Sequence, residues 1–161
     1  MTRFSVRVVA GILLILAISA ATFARLSAQQ ESSPSAHQKL SFDGDTALWT
    51  VAIKPDKTAD FEQIMTKMRK ALLTSADPMR RQQAAGWKVM RIAKPLGDGN
   101  IAYVHLIHPV VSGADYTIMQ TLYDAYPDER QALYDQYRGA FVHSLAMSAG
   151  SIAVDLSAER P

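Results

Sequence analysis

Two segments of this sequence resemble β-strands that are apolar on both faces, and this pattern constrains the fold more than any other. Residues 47–53 (ALWTVAI) and 101–108 (IAYVHLIH) are rich in β-branched and aromatic residues, which favour strands. An antiparallel sheet with one face in water would alternate apolar and polar side chains. We therefore expect both faces to be covered, one by helices of the same chain and the other by the sheet of a second subunit, because a bare apolar face would leave a large exposed patch.

Helical spacing and turn residues predict the other elements of the first half. Apolar residues three and four apart predict a helix at about 59–75. Asp77 followed by Pro78 is typical of a helix start, and this short helix is predicted to end at Gly86. The turn-forming residues PLGDGN at 95–100 then predict a hairpin. Its two strands are predicted at 87–94 and 101–108.

The second half repeats this order. Asp115 is a predicted cap for one helix, and a further helix follows the Pro127 interruption and extends to Leu145. Alternating apolar residues at 152–156 predict the last strand. The predicted fold is therefore α+β, a ferredoxin-like βαββαβ unit with an antiparallel sheet. It occupies residues 45–157 and is followed by a tail at 158–161.

The N-terminus predicts export. Residues 1–28 contain Arg3 and Arg7, an apolar run at 8–24 and a small residue, Ala28, at a predicted cleavage point. These are the parts of a secretory signal peptide, so we expect the protein in the periplasm or outside the cell. The alternative is an uncleaved anchor, because the run is close to the shortest length that spans a bilayer. Only in that case would the chain contact a membrane.

Composition excludes several kinds of protein. The chain has 161 residues, which suits one domain, and no cysteine, which excludes disulfides and a cysteine nucleophile. Removal of residues 1–28 takes away Arg3, Arg7 and Arg25, leaving 14 basic residues (17 less 3) against 15 acidic ones. The overall positive charge therefore belongs to the signal and does not indicate nucleic-acid binding. Residues 29–44 are polar and without period, as in a disordered linker.

Residues 47–157 resemble the dimeric α/β-barrel superfamily, in particular its antibiotic-biosynthesis-monooxygenase-like domains. The resemblance lies in the order of elements, in the first strand Trp49-Thr-Val-Ala-Ile-Lys54 and in the third strand Tyr103-Val-His-Leu-Ile107. The segment 49–57 is also similar to secreted bacterial proteins of this fold without an assigned activity. The resemblance implies a homodimer. It leaves the activity open, since that superfamily includes cofactor-free oxygenases, haem-degrading enzymes, peroxidases and proteins that only bind ligands.

His105 is the first candidate for a functional residue. It lies on a central predicted strand, two residues from Tyr103 and at a position expected to be buried. One interpretation is a core histidine with a single hydrogen bond. The other, which the resemblance implies, is a polar group in the ligand-binding lumen, where it could orient a phenol or quinol or act as a base.

The neighbours of His105 depend on the register of the hairpin. A two-residue turn places Met90, Ile92 and Lys94 on its face of the sheet, whereas a three-residue loop places Trp87 and Arg91 there. Both registers are compatible with the sequence. With this alternative included, the candidate ligand-binding residues are His105, Tyr103, Arg91 and Trp87.

No pattern in the chain predicts a metal or cofactor. His105 and His108 are three apart on a strand, so their side chains point to opposite faces and cannot share a metal. We expect a homodimer that binds a small apolar or aromatic molecule, without nucleic acid. A cofactor-independent monooxygenase acting on phenols or quinols and a non-catalytic module of the cell envelope are the alternatives.

Overall fold

A computed structural model describes residues 38–157. The predicted signal peptide, most of the predicted linker and the predicted tail at 158–161 therefore lie outside the described residues. This part of the chain is α+β, with helices and one four-stranded antiparallel sheet. None of its helices is long and apolar enough to cross a membrane. The elements, in chain order, are β1 (Thr46–Ile53), α1 (Thr58–Thr74), α2 (Pro78–Gly86), β2 (Trp87–Arg91), β3 (Ile101–Ile107), α3 (Ile118–Ala125), α4 (Arg130–Ala140) and β4 (Phe141–Gly150).

The sheet has the strand order β2-β3-β1-β4, and every neighbouring pair is antiparallel. The central strand β3 pairs with β1 along its whole length, so that Trp49 lies opposite His105 and Val51 lies opposite Tyr103. The two outer strands are β2 and β4. Each has one edge without a partner strand in the described chain.

The helices lie on one face of this sheet and bury it. The stripe that predicted α1 is buried there: Phe61, Ile64, Met65, Met68 and Leu72. It packs in one cluster with side chains of α3 and α4 and with alternate residues of β1 and β3, including Val51 and Tyr103. A fully buried leucine or phenylalanine stabilises a fold by about 1.5–3 kcal/mol, so this stripe is a main source of stability.

The opposite face of the sheet, which we call the open face, has no helix on it. Leu48 of β1 and Leu106 of β3 lie opposite each other there and are 46% and 37% exposed. Met90 of β2 extends the apolar surface and is 55% exposed. The expected covering of one face by helices is confirmed, and the described chain leaves Leu48, Leu106 and Met90 exposed on the other face.

The end of the sheet differs from the prediction. The helix expected to continue to Leu145 ends at Ala140, and residues 141–150 form β4 against β1. The predicted strand at 152–156 is wrong, since residues 151–157 form no strand. Phe141 and Leu145 are four apart, which mimics a helix stripe, but pairing with β1 overrides that local preference.

The hairpin settles the register left open by the sequence. β2 ends at Arg91, and the connection at 92–100 is wider than a two-residue turn. Trp87 lies opposite Ile107, and Arg91 lies opposite Tyr103. Trp87 and Arg91 therefore share the helix-covered face with His105, and the register that would have placed Met90 there is wrong.

Part of the predicted linker contacts the folded unit. Phe42 is only 8% exposed, and its ring centroid lies 5.2 Å from that of Tyr116. The backbone N–H of Tyr116 donates to the carbonyl of Leu40 at 2.7 Å. Residues 40–42 therefore pack as part of the domain, because their two apolar side chains find partners beyond β3.

Candidate functional site

His105 lies at the centre of an aromatic cluster on the helix-covered face. Its side chain has no exposed surface. Its ring stacks on Trp49, with centroids 4.8 Å apart and planes 24° apart, and the edge of the contact is closed by Phe61 at 6.2 Å. Trp87 of β2 lies on a further side, with its centroid at 5.8 Å. Alternation along β1 and β3 places these rings together, since Trp49 and His105 face each other across the ladder.

Hydrogen bonding fixes the form of this histidine. The indole Nε1 of Trp87 donates to Nδ1 of His105 at 3.1 Å, so Nδ1 is the acceptor and the proton of the neutral ring is on Nε2. That Nε2 has no hydrogen-bond partner among residues 38–157. Burial lowers the pKa of His105 to about 4, so the ring is neutral at ordinary pH.

A cleft of about 230 Å³ opens beside this cluster, between α1 and the sheet edge formed by β2. Its apolar walls come from three elements. They are Met65, Met68 and Leu72 of α1, Ala84 of α2, and Trp87 and Val89 of β2. Two exposed polar side chains, Thr66 and Arg69, complete the lining. Trp87 therefore contacts both the cleft and the buried histidine.

A second polar group lies further along the strands, at Tyr103. Its hydroxyl donates to Oε1 of Glu62 on α1 at 2.5 Å, and Arg91 lies 3.4 Å from the same oxygen. Burial, and then the hydrogen bond to Glu62, raise the pKa of Tyr103 to about 12. Tyr103 is therefore a hydrogen-bond donor to a carboxylate at ordinary pH. The ion pair of Arg91 and Glu62 is half exposed on both sides and contributes little stability.

The structure thus separates the candidate residues into two pairs. His105 belongs with Trp87, and Tyr103 belongs with Arg91 through Glu62. All lie on the same face, but only Trp87 lines the cleft.

Sequence reasoning missed the residues that α1 supplies. Met65, Met68 and Leu72 belong to the helical stripe that predicts α1, and their spacing contains nothing that separates a packed residue from one that lines a cleft. Glu62 lies next to Phe61 on the exposed side of the predicted helix. No local pattern connects it with Tyr103, which is 41 positions away in the chain.

Metal ligation is not suggested by this arrangement. Within residues 38–157, no group of three His, Asp or Glu side chains is placed to hold an ion. His108 lies on the open side, where its Nδ1 is 2.9 Å from the hydroxyl of Thr46, whereas His105 is buried beneath the helices. The predicted separation of these two histidines on opposite sides of the sheet is confirmed.

Comparison of the chain with protein-family models, with curated proteins and with solved structures found no match. The functional interpretation therefore depends on the geometry of the described residues.

Proposed function

We propose that this protein binds a small apolar or aromatic molecule in the cleft between α1 and β2, and that it does so as a homodimer. The observation that carries the first part is the cleft itself, with apolar walls from three elements and an indole ring in one of them. Ligand sites are concave and mostly apolar, with few polar groups to orient the ligand. Thr66 and Arg69 are those polar groups here.

The size of the cleft narrows the class of ligand. An apolar cavity of about 150 Å³ in another protein holds a benzene-sized molecule, so about 230 Å³ suits one substituted ring. Trp87 offers an aromatic surface for stacking, and offset or tilted ring pairs contribute about 0.5–1.5 kcal/mol beyond their buried area. A phenol or an aromatic carboxylic acid with a single ring has a suitable size and an aromatic face for stacking.

Tryptophan fluorescence tests the proposal directly. The chain has two tryptophans, so Trp49→Phe leaves Trp87 as the only one. Titration with phenol, p-cresol and benzoate should change its emission in a saturable manner. Ala84→Leu fills the cleft and should weaken binding at least tenfold. Ala85→Leu, at the exposed neighbouring position, should bind as the parent does. Equal binding by the two leucine variants would contradict the proposal.

The geometry favours binding over the oxygenase alternative. A base must reach the proton that it abstracts. His105 has no exposed surface, and its Nδ1 lone pair already accepts from Trp87. We therefore expect no oxygen uptake with hydroquinones. A His105→Ala variant should show the same absence of oxygen uptake as the parent. The envelope-module alternative is supported by no described contact.

The homodimer is supported by the open face. Its leucine pair, Leu48 and Leu106, is exposed at the centre of the sheet, where a second sheet would bury it. The strand order and the helices that connect β1 to β2 and β3 to β4 support the proposal of a ferredoxin-like βαββαβ unit. We propose that two such units pack through their open faces as a dimeric α/β barrel.

A matched pair of variants tests the interface. Leu48 on the open face and Leu73 on α1 are 46% and 47% exposed. Leu48→Glu should convert the dimer into a folded monomer in light scattering, because it would bury an unpaired charge against the partner. Leu73→Glu should leave the dimer intact. A parent that is monomeric at all concentrations would remove this part of the proposal and leave the cleft unaffected.

We propose export as part of the same function, because residues 1–28 resemble a signal peptide. N-terminal sequencing of the protein recovered from its host should begin close to Gln29. A chain that begins at Met1 and sediments with membranes would instead indicate the uncleaved anchor.

A further inference from the structure

The two edges of the sheet are protected to very different degrees. β2 has five residues and includes Lys88 and Arg91, which are charges of the kind that prevent an edge from pairing with another strand. β4 has ten residues, and none of them is Asp, Glu, Lys, Arg or Pro. The described chain leaves the outer edge of β4 without a partner strand.

Side chains on both faces of β4 are also uncovered. Every residue from 143 to 150 is exposed. The large apolar residues among them are Leu145, which is 41% exposed, and Met147, which is 48% exposed. Met147 lies opposite Trp49 on the helix-covered face, so the helices do not extend over this strand. A long, uncharged and apolar edge is a site for pairing with another strand.

The segment that follows β4 has the sequence pattern of a strand but pairs with no strand of the described chain. Ile152, Val154 and Leu156 alternate with Ala153, Asp155 and Ser157, which is the pattern of a strand with one apolar face. Instead of forming a strand, these three apolar side chains are 48%, 70% and 96% exposed. We call residues 152–156 the terminal segment.

The start of the terminal segment is held on the β1 side of β4, away from the outer edge of that strand. Asp45 holds the exit of the strand on the β1 side, where its backbone N–H donates to the carbonyl of Gly150 at 3.0 Å and its carboxylate accepts from the N–H of Ile152 at 3.1 Å. A return along the outer edge of β4 would need a tight turn. Such a turn would fall at Gly150 and Ser151, and Gly150 does not have the positive φ that it requires.

We infer that the terminal segment of one copy pairs as an added strand with the outer edge of β4 in a second copy. Both halves of this contact occur on the same chain, so a two-fold axis would form it twice. Added strands bind through main-chain hydrogen bonds, with alternate side chains for specificity. Five residues span about 16 Å, which covers half of β4. The inference rests on the self-association proposed above and adds a contact at the sheet edge to the one at the open face.

Hydrogen exchange of the unmodified protein tests the inference. At concentrations where the protein is a dimer, the backbone amides of residues 153–157 should exchange at least tenfold more slowly than in an unstructured peptide. Dilution should remove this protection at the same midpoint as the dimer. Exchange at the free-peptide rate within an established dimer would overturn the strand pairing while the dimer stands. A monomer at all concentrations would overturn both.

Cross-linking identifies the edge that is used. Because the chain has no cysteine, introduced thiols are the only ones present. Leu156→Cys in one copy and Met147→Cys in an isotope-labelled second copy should be joined by a short bifunctional reagent, and mass spectrometry should find the mixed peptide. Lys88→Cys, at the opposite edge, is the matched control and should give no mixed product. A link to position 88 in place of 147 would overturn the assignment to β4.

Discussion

Trp87 Nε1 donates to Nδ1 of His105 at 3.1 Å, and this one contact joins the cleft to the buried centre of the sheet. It fixes the tautomer of the histidine and orients the indole that lines the cleft. The rings of Trp49 and Phe61 close the remaining sides. No charged group of the described chain is hydrogen-bonded to His105, and burial is the cause of its lowered pKa.

We expect a pH dependence of stability that comes from His105. Burial lowers its pKa from 6.5 to about 4, so between these values the unfolded chain binds a proton that the folded chain does not. The free energy of unfolding should therefore fall by up to about 3 kcal/mol as pH falls from 6.5 to 4. Urea unfolding at several pH values would measure this. His105→Gln should flatten the slope, whereas His143→Gln, at an exposed position, should not; equal slopes in all three proteins would contradict the assignment.

Trp87→Phe should destabilise the fold by about 1–3 kcal/mol, because it leaves a buried histidine nitrogen without its donor. Trp49→Phe is the matched control. It removes a hydrogen bond to Ser144 at 2.8 Å, but Ser144 is exposed and regains water, so the part of the destabilisation that comes from the lost hydrogen bond should be smaller. In a His105→Leu background, Trp87→Phe should cost less than it does in the parent. An unchanged cost in urea unfolding would show that the hydrogen bond is not the cause.

The first half of the fold follows closely from local patterns. The helix expected at 59–75 is found at Thr58–Thr74, and the short helix begins at Pro78 and ends at Gly86 as predicted. The apolar spacing predicts the first of these helices, and Asp77 with Pro78 predicts the second, where the Asp77 side chain accepts from the N–H of Met79. The second half is less predictable because Phe141 and Leu145 have helical spacing, and only pairing with β1 makes that segment a strand.

The candidate site, like the second half of the fold, is only partly predictable from local sequence patterns. Alternation along β3 places Tyr103 and His105 on one face, and their burial follows from the central position of the strand. Trp87 and Arg91 depend on the hairpin register, which the loop determines and the strand sequences leave open. Glu62 depends on how α1 crosses the sheet. That packing joins residues far apart in the chain, and no short-range pattern records it.

The effect of the Glu62 carboxylate should be measurable as a change in the pKa of Tyr103. Burial is the larger cause of the raised pKa of Tyr103, and Glu62 is the next. Glu62→Gln removes the negative charge, so the pKa of Tyr103 should move down from about 12 and remain above 10. NMR of the labelled tyrosine ring carbon measures it. Glu129→Gln, which alters an ion pair with Lys67 elsewhere on the surface, should leave the value unchanged. A shift of equal size in both variants would show that Glu62 has no specific effect.

Gly86 should be the least replaceable residue at the junction of α2 and β2. A Cβ at this position would lie 2.6 Å from the carbonyl oxygen of Pro109 and 3.0 Å from that of His108. Both contacts are to backbone, and the carbonyl of Gly86 also accepts from the N–H of His108 at 2.9 Å.

Gly86→Ala must therefore separate the start of β2 from the segment that follows β3, and it should cost about 1–3 kcal/mol in urea unfolding. Gly139→Ala in α4 is the control. A Cβ there meets nothing within 4 Å, so alanine should stabilise the helix by about 0.5–1 kcal/mol. Because Trp87 follows Gly86 directly, Gly86→Ala should also weaken ligand binding in the cleft. A Gly86→Ala protein with parental stability would show that the two segments separate without cost, and the close approach would then have no role in positioning Trp87.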